Sequence, residues 1–286
     1  MAGDGGAGKP KHHAHIKAAD SGTPMKQMII VGVIVALLGG GGLWWLNRAG
    51  EDNKLNTLFA SNETRKISTV NGQRGDITLS DGTKLTIGSA TKLVIIPKYN
   101  ELYRGVKVDG TASFDVKASA GIPLEVRAGG AVFLISEGAL VVRGYDDEGD
   151  VILKLTAGTG EIRAKGIRRQ LTAPAAVHVS KDSTLTDADP AAADVATAWV
   201  DGKVVFKGLT LKQVLPLFEK NYAMKLTVKD EALLSRPVEM EAQLDSKQKA
   251  IAALEQSAHV KFTYDGSTPI LKDDPAAAAK GAAKKK

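Results

Sequence analysis

The chain has 286 residues, of which 43% are hydrophobic and 24% charged, and it contains no cysteine. The lack of cysteine excludes disulfides, thiolate metal sites and cysteine nucleophiles, and the length suits one large domain or two small ones. Of the formal net charge of +6, residues 1–27 carry +2 and residues 272–286 carry +3. The near-neutral body argues against nucleic-acid binding.

Residues 28–46 predict a transmembrane helix. These nineteen residues, MIIVGVIVALLGGGGLWWL, include no charge and would span about 28 Å as a helix, close to the thickness of a hydrocarbon core. Four consecutive glycines would destabilise a helix in water but are better tolerated in lipid. Trp44 and Trp45 suit the headgroup level at one end.

The flanks of this segment predict its orientation. Residues 1–27 are rich in Gly, Lys and His, so we expect a disordered cytoplasmic tail. A cleaved signal peptide is the alternative, but the apolar run is long and Asn47 spoils the one plausible cleavage site. We therefore predict a single-pass membrane protein, with a juxtamembrane linker at 47–65 and the domains beyond it outside the cytoplasm.

Small residues recur at a four-residue spacing within the predicted helix. Gly32, Ala36 and Gly40 would lie on one face, where small side chains let two membrane helices approach closely. Because glycine and alanine are common in such helices, the same spacing also fits a helix without a partner. These three residues are the candidates for helix association.

Residues 66–180 predict an all-β domain of sandwich or jelly-roll type. Short alternating or apolar segments recur every 8–12 residues or so between turn signals such as Asp81-Gly82 and Asp109-Gly110. The predicted strands cover residues 76–80, 84–88, 92–97, 106–109, 111–117, 124–127, 131–136, 139–145 and 150–156.

After a polar, Ala-rich segment at 181–198 that predicts a linker, the periodicity changes. Residues 199–272 predict a small α+β domain with the order β-α-β-β-α-β, in which two helices cover one face of a single sheet. Its helices are expected at 211–222, capped by Thr210, and at 247–258, capped by Ser246. Pro216 should kink or shorten the first. The apolar helix faces comprise Leu211, Val214, Leu215 and Phe218, then Ala250, Ile251 and Leu254. Residues 273–286 predict a disordered basic tail.

The residues offer no catalytic, metal or cofactor site. His178 and His259, the two histidines of the predicted body, have no nucleophile or carboxylate at a motif spacing. The acidic run 146–150 lacks the glutamate that closes a calcium loop, so a solvated hairpin turn is the better interpretation. We expect a protein without enzymatic activity.

A set of turn and strand residues recurs in a fixed order along the body of the chain: Asp81, Gly82, Thr83, Arg104, Gly110, Ala112, Phe114, Val116, Trp199, Asp201 and Gly202. In this order they resemble the signature of the FecR family of inner-membrane regulators of cell-surface signalling, which implies periplasmic C-terminal domains. The resemblance covers about residues 66–271, and its second part is similar to the signalling domain of TonB-dependent transducers and to secretin N-domains.

The resemblance implies an anti-sigma-factor-like regulator that binds proteins through its extracytoplasmic domains. The implied partner is the signalling domain of a TonB-dependent transducer or another envelope protein. The family's helical cytoplasmic domain does not precede residue 28, so we expect any sigma factor to be regulated indirectly. A structural or assembly module of an envelope complex is the alternative. An extracytoplasmic carbohydrate-binding or catalytic protein is disfavoured by an aromatic content of only 5%.

Overall fold

The computed structural model describes residues 54–275, and the chain from Leu55 onward forms one unit. The predicted cytoplasmic tail, the transmembrane segment 28–46 with Gly32, Ala36 and Gly40, and residues 276–286 lie outside the described residues. Within 54–275, no helix is both long enough and apolar enough to cross a membrane.

The first part of the described chain is an eleven-stranded sheet, which we call the β domain. Alternating apolar side chains explain most of these strands, because every second residue points into the core. The strands are β1 (Arg65–Ser68), β2 (Gly75–Thr78), β3 (Lys84–Ile87), β4 (Lys92–Ile95), β5 (Arg104–Val116), β6 (Leu124–Ala128), β7 (Ala131–Gly144), β8 (Val151–Ala164), β9 (Ile167–Thr172), β10 (Ala175–Val179) and β11 (Leu185–Asp187).

Three long strands of this sheet, β5, β7 and β8, change pairing partners part-way along their length. The first half of β5 pairs with β4 and β6, whereas its second half, from Gly110 onward, pairs with β3 and β7. Strands β7 and β8 change neighbours in the same way, close to Gly138 and Gly158. All three glycines have positive φ, and a Cβ at Gly138 would lie 2.2 Å from the Ala157 carbonyl oxygen. Glycine therefore lets each strand bend without ending.

Two predicted breaks in the β domain are wrong for this reason. Residues 106–109 and 111–117 belong to the single strand β5, and residues 131–136 and 139–145 to β7. The halves share one core that includes Leu85, Phe114 and Phe133. The prediction of a β-rich domain followed by a small α+β region is confirmed.

The segment predicted as a linker is structured. It holds β11 and helix α1 (Pro190–Thr197), followed by a 3₁₀ turn over Ala198–Asp201. The Asp189 side chain accepts a hydrogen bond from Ala192 N at 3.0 Å, and Pro190 occupies the first turn, both typical of helix starts. Ala193 and Ala196 are buried, so the alanines that suggested a linker form a packed face.

The last part of the chain, the α+β lobe, has its own core. Its elements are β12 (Lys203–Thr210), α2 (Leu211–Tyr222), β13 (Thr227–Val228), β14 (Pro237–Gln243), α3 (Lys247–Ala258), β15 (Val260–Asp265) and β16 (Thr268–Asp273). Strands β12 and β14 form one small antiparallel sheet, and β13, β16 and β15 form another. Two separate sheets thus replace the single sheet that we expected.

The predicted helix faces of the lobe agree with its core. Phe218 and Leu254 are fully buried, and Thr210 N donates to Gln213 Oε1 at 2.8 Å across the first turn of α2. Pro216 does not shorten α2, which continues to Tyr222. The proline removes one hydrogen bond, and the buried side of the helix supplies enough contacts to offset that loss.

Candidate functional site

A fully buried ion pair lies at the centre of the first family motif. Arg104 Nη2 and Asp81 Oδ2 are 2.9 Å apart, and both side chains are 0% exposed. The same carboxylate oxygen accepts hydrogen bonds from Tyr99 Oη and Thr83 Oγ1, each at 2.9 Å. We call these four residues the Arg104 cluster. Burial raises the pKa of the Tyr99 hydroxyl, which therefore stays protonated as a donor.

Local sequence positions each member of the cluster. Gly82, with φ of +84°, makes the turn between β2 and β3, and Asp81 Oδ1 accepts from Thr83 N at 2.9 Å within it. Arg104 begins β5 and donates to the carbonyl oxygens of Lys117 and Ile122, both at 2.8 Å. The cluster therefore joins three segments of the β domain, and its opposite charges balance each other away from solvent. Arg104 Nε is buried without a hydrogen-bond partner among the described residues.

The remaining residues of this motif are also structural. Ala112, Phe114 and Val116 alternate along β5 and point into the core, and Gly110 makes the bend described above. None of these groups faces solvent, so the motif explains the fold rather than a ligand site.

Trp199 marks the place where the β domain meets the α+β lobe. It is buried in the 3₁₀ turn, and its carbonyl oxygen accepts from Arg74 Nη1 at 3.5 Å. Asp201 ends this turn and Gly202 follows with φ of +76°. The Gly202 carbonyl oxygen accepts from Leu244 N at 2.8 Å. Residues 199–202 therefore form hydrogen bonds to both parts: to Arg74 in the β domain and to Leu244 in the α+β lobe.

A network of hydrogen bonds, which we call the junction, joins the β domain to helix α2. The carbonyl oxygen of Lys220 accepts from Ser89 Oγ at 2.6 Å and from Gly72 N at 2.8 Å. Tyr145 Oη in turn donates to the Ser89 carbonyl oxygen at 2.8 Å. Buried hydrogen bonds of this kind fix the two parts in one arrangement.

Charged side chains surround the junction. Lys220 Nζ lies 2.8 Å from Glu148 Oε1 and 3.1 Å from Asp147 Oδ1, and 3.8 Å from the centre of the Tyr145 ring. Arg143 also pairs with Glu148. Burial alone would raise the pKa of Glu148, but its hydrogen bonds and charge interactions with Arg143 and Lys220 outweigh burial and lower that pKa. Burial raises the pKa of Tyr145 to about 12.

Sequence reasoning missed this junction. The acidic run 146–150, interpreted as a solvated turn, supplies Asp147 and Glu148 to a lysine on α2. Ser89 and Lys220 are 131 positions apart, so no local motif could have paired them. Two features of the sequence could have pointed to the junction: Tyr145, which follows β7, and the amphipathic helix that carries Lys220.

The other sequence candidates do not assemble into a catalytic or metal site. His178 Nε2 lies 3.7 Å from Asp150 Oδ1 on the surface, and His259 ends α3 with a positive φ. Among residues 54–275, no group of three or more histidine and acidic side chains could hold a metal ion.

A short helical segment just before β1 packs on the β domain through residues 55–59. Leu55 is buried, and the Phe59 ring lies beneath the Arg127 guanidinium, 4.6 Å from its centre. Arg127 also donates to the Asn56 side-chain oxygen. Residues 55–59 of the predicted juxtamembrane linker therefore pack against the sheet at β6.

A family model described as FecR protein matches residues 65–159, the segment that contains the Arg104 cluster and all three strand bends. The chain contains a FecR domain. A comparison with curated proteins found no match. The described chain nevertheless continues well past the FecR domain, through α1 and the α+β lobe.

Solved structures share the fold over this longer range. Two crystal structures of a "putative anti-sigma factor" from Parabacteroides distasonis ATCC 8503 match with TM-scores of 0.63 and 0.62 and 20% identity. Each match covers 73% of this chain and 99% of that protein. The likeness therefore extends beyond the FecR domain and shows a common fold.

Proposed function

We propose that this protein is a membrane-anchored regulator of transmembrane signalling that acts through protein–protein binding by its extracytoplasmic domains. Residues 28–46 anchor it in the inner membrane, and residue 47 onward is periplasmic. The FecR domain and the likeness to an anti-sigma-factor-like fold support a role in sigma-factor regulation.

One observation carries this proposal. The α+β lobe is joined to the FecR domain through the junction, and the FecR domain is joined to residues 55–59 through Leu55 and Phe59. The packed contacts therefore run from the lobe to Leu55, nine residues beyond the end of the predicted membrane helix. A partner that moves the lobe would thereby displace the segment next to that helix.

The lobe also offers backbone groups to a protein partner. Among the described strands, β15 pairs only with β16, so its other edge has no neighbouring strand and can accept an added one at Tyr264. One backbone donor of β15, Phe262 N, already donates to Glu255 Oε1 at 2.7 Å. Tyr264 on β15 is 58% exposed. The proposed occupant is a strand from the signalling domain of a TonB-dependent transducer, which the lobe would bind by backbone hydrogen bonds.

Photo-crosslinking in living cells tests both binding and topology. A benzophenone amino acid in place of Tyr264 should crosslink the full-length protein to an outer-membrane transducer. The same amino acid in place of Leu102, which is 76% exposed on the FecR domain, is the matched control. Crosslinks from both positions alike, or from Tyr264 to cytoplasmic proteins, would contradict the proposal.

Relay across the membrane is tested separately with the helix-association candidates. Substituting Gly32→Leu together with Gly40→Leu should impair signalling because bulky side chains block close helix approach. Deleting residues 2–20 should leave signalling largely intact if regulation of the sigma factor is indirect. Loss of a direct sigma-factor interaction on that deletion would instead show that the tail itself is the effector.

A further inference from the structure

Asn71 and Gly72 form a sequence that is chemically unstable when it is unrestrained. Asn71 is the one asparagine of the chain that a glycine follows directly. Asparagine deamidates when the backbone nitrogen of the next residue attacks its side-chain carbonyl carbon, and it is a thermolabile residue for this reason. Glycine permits the attack most readily, because it has no Cβ to hinder the approach.

This pair of residues lies in the loop between β1 and β2, at the surface of the FecR domain. The preceding residue, Val70, is 69% exposed, and Gly72 is exposed with φ of +75°. Solvent therefore reaches the loop and can supply the water and the base that deamidation requires. Sequence and exposure alone would make Asn71 a reactive residue.

The attacking nitrogen is held by the junction. Gly72 N donates to the Lys220 carbonyl oxygen at 2.8 Å and to Ser89 Oγ at 2.6 Å. Attack requires that this nitrogen lose its proton and turn toward the Asn71 side chain. Both acceptors stabilise the N–H group and keep it directed at the junction instead. Because Lys220 lies on α2, undocking of the α+β lobe removes one of these acceptors.

We propose that Asn71 is a spontaneous deamidation site whose reaction is suppressed by the docked lobe and released by local opening of the junction. In the open state Gly72 N forms a bond to Asn71 Cγ, the Cγ–Nδ2 bond breaks, and ammonia leaves with the proton from Gly72 N. Water then opens the resulting succinimide at either of its carbonyl carbons and gives aspartate or isoaspartate. Neither step needs an oxidant, a reductant or a second protein.

The reaction also weakens the contact that suppressed it. The succinimide has no hydrogen on the nitrogen of residue 72, so it cannot donate to Ser89 or Lys220. Hydrolysis restores the N–H group, but isoaspartate inserts one extra carbon into the backbone beside it. The donor can then no longer meet both acceptors in the original geometry. Formation of isoaspartate at residue 71 therefore converts a reversible opening of the lobe into a lasting one.

Mass spectrometry of the full-length protein in detergent tests the proposal. Trypsin releases Asn71 in the peptide 67–74, and the peptide 55–65 carries Asn56 and Asn62 as an internal reference. The protein is incubated at mildly alkaline pH, natively and in urea, and aspartate and isoaspartate are quantified over time. We expect slow conversion of Asn71 in the native protein and fast conversion in urea, where Gly72 N is unrestrained.

Two serine variants show whether the junction is responsible. Ser89→Ala removes one acceptor of Gly72 N, and the loss of a typical hydrogen bond should raise the conversion rate of the folded protein about fivefold. Ser235→Ala is the matched control, because this exposed hydroxyl donates to the Ala232 carbonyl oxygen within its own turn and should leave the rate unchanged.

Circular dichroism checks that both variants fold. If Ser89→Ala does not fold, the native and urea rates of the wild type decide. Equal conversion of Asn71 in the native protein and in urea, or equal rates for folded Ser89→Ala and Ser235→Ala, would overturn the proposal. Neither Tyr264 nor the predicted membrane helix takes part in this reaction, so this proposal and the proposed function fail separately.

Discussion

Replacing Asp81 by asparagine should destabilise the protein far more than the same change at an exposed aspartate. Asp81→Asn keeps the shape of the side chain but removes the charge that balances Arg104. The new amide NH₂ also has to face donors on Tyr99, Thr83 or Arg104. Breaking a buried pair from one side leaves an uncompensated charge and costs about 3–5 kcal/mol.

The structure supplies a matched control for this substitution. Asp115 pairs with Lys117 at 3.1 Å, but the two side chains are 53% and 52% exposed. Solvent screens such a pair, so Asp115→Asn should cost no more than about 1 kcal/mol. Both positions undergo the same chemical change within one domain.

Thermal unfolding followed by circular dichroism measures the difference. For a body of this size, each kcal/mol lowers the melting temperature by about 2–4 °C, so Asp81→Asn should lower it by on the order of 10 °C. Equal shifts for the two variants would refute the view that the Arg104 cluster holds the domain together. The double variant Asp81→Leu/Arg104→Met should unfold at a higher temperature than Asp81→Asn, because the double variant contains no unpaired buried charge.

Three further predictions follow from burial, charge and backbone geometry. Phe218→Ala should cost about 3–5 kcal/mol, and native-like denaturant unfolding would contradict its place in the lobe core. Because Glu148 has a lowered pKa, its stabilisation is present above the ordinary value of 4.5 and is lost as the pH falls through the folded-state pKa. The stability gap between wild type and Glu148→Gln should therefore close on acidification, and a gap independent of pH would contradict this. Gly138→Ala should cost at least about 2 kcal/mol because of positive φ and the clash with a backbone oxygen. Gly75→Ala, in open space, should be nearly neutral by calorimetry.

The periodicity of apolar residues predicted where the strands and helices lie, but not whether neighbouring strand segments form one continuous strand. Alternation located most of the strands up to β8, and the 3.6-residue period identified the buried faces of α2 and α3. Alternation is broken at Gly110 and Gly138, so each bend was interpreted as the end of a strand. A glycine that bends a strand and a glycine that ends it look alike until the pairing partners are known.

The features that the sequence did not predict depend on contacts between residues that are far apart in sequence. The sequence predicted a turn at Asp81 and assigned Arg104 only to the family resemblance, but their buried ion pair requires the folding of β5 beside the β2–β3 turn. The segment 181–198 was interpreted as a linker because alanine and aspartate are common in linkers. Its helix is stabilised mainly by packing of Ala193 and Ala196, and such packing is invisible to local composition.

The junction also limits which substitutions could separate the FecR domain from the α+β lobe. One of its bonds joins Gly72 N to the Lys220 carbonyl oxygen, and no side-chain change removes these backbone atoms. Replacing the Lys220 side chain would abolish its pairing with Glu148 but keep that bond. Ser89 is different, because its hydroxyl bonds to both Gly72 N and the Lys220 carbonyl oxygen. Among the side chains of the junction, Ser89 is therefore the one whose removal would break hydrogen bonds to both Gly72 and Lys220, and the relay that we propose would require those bonds.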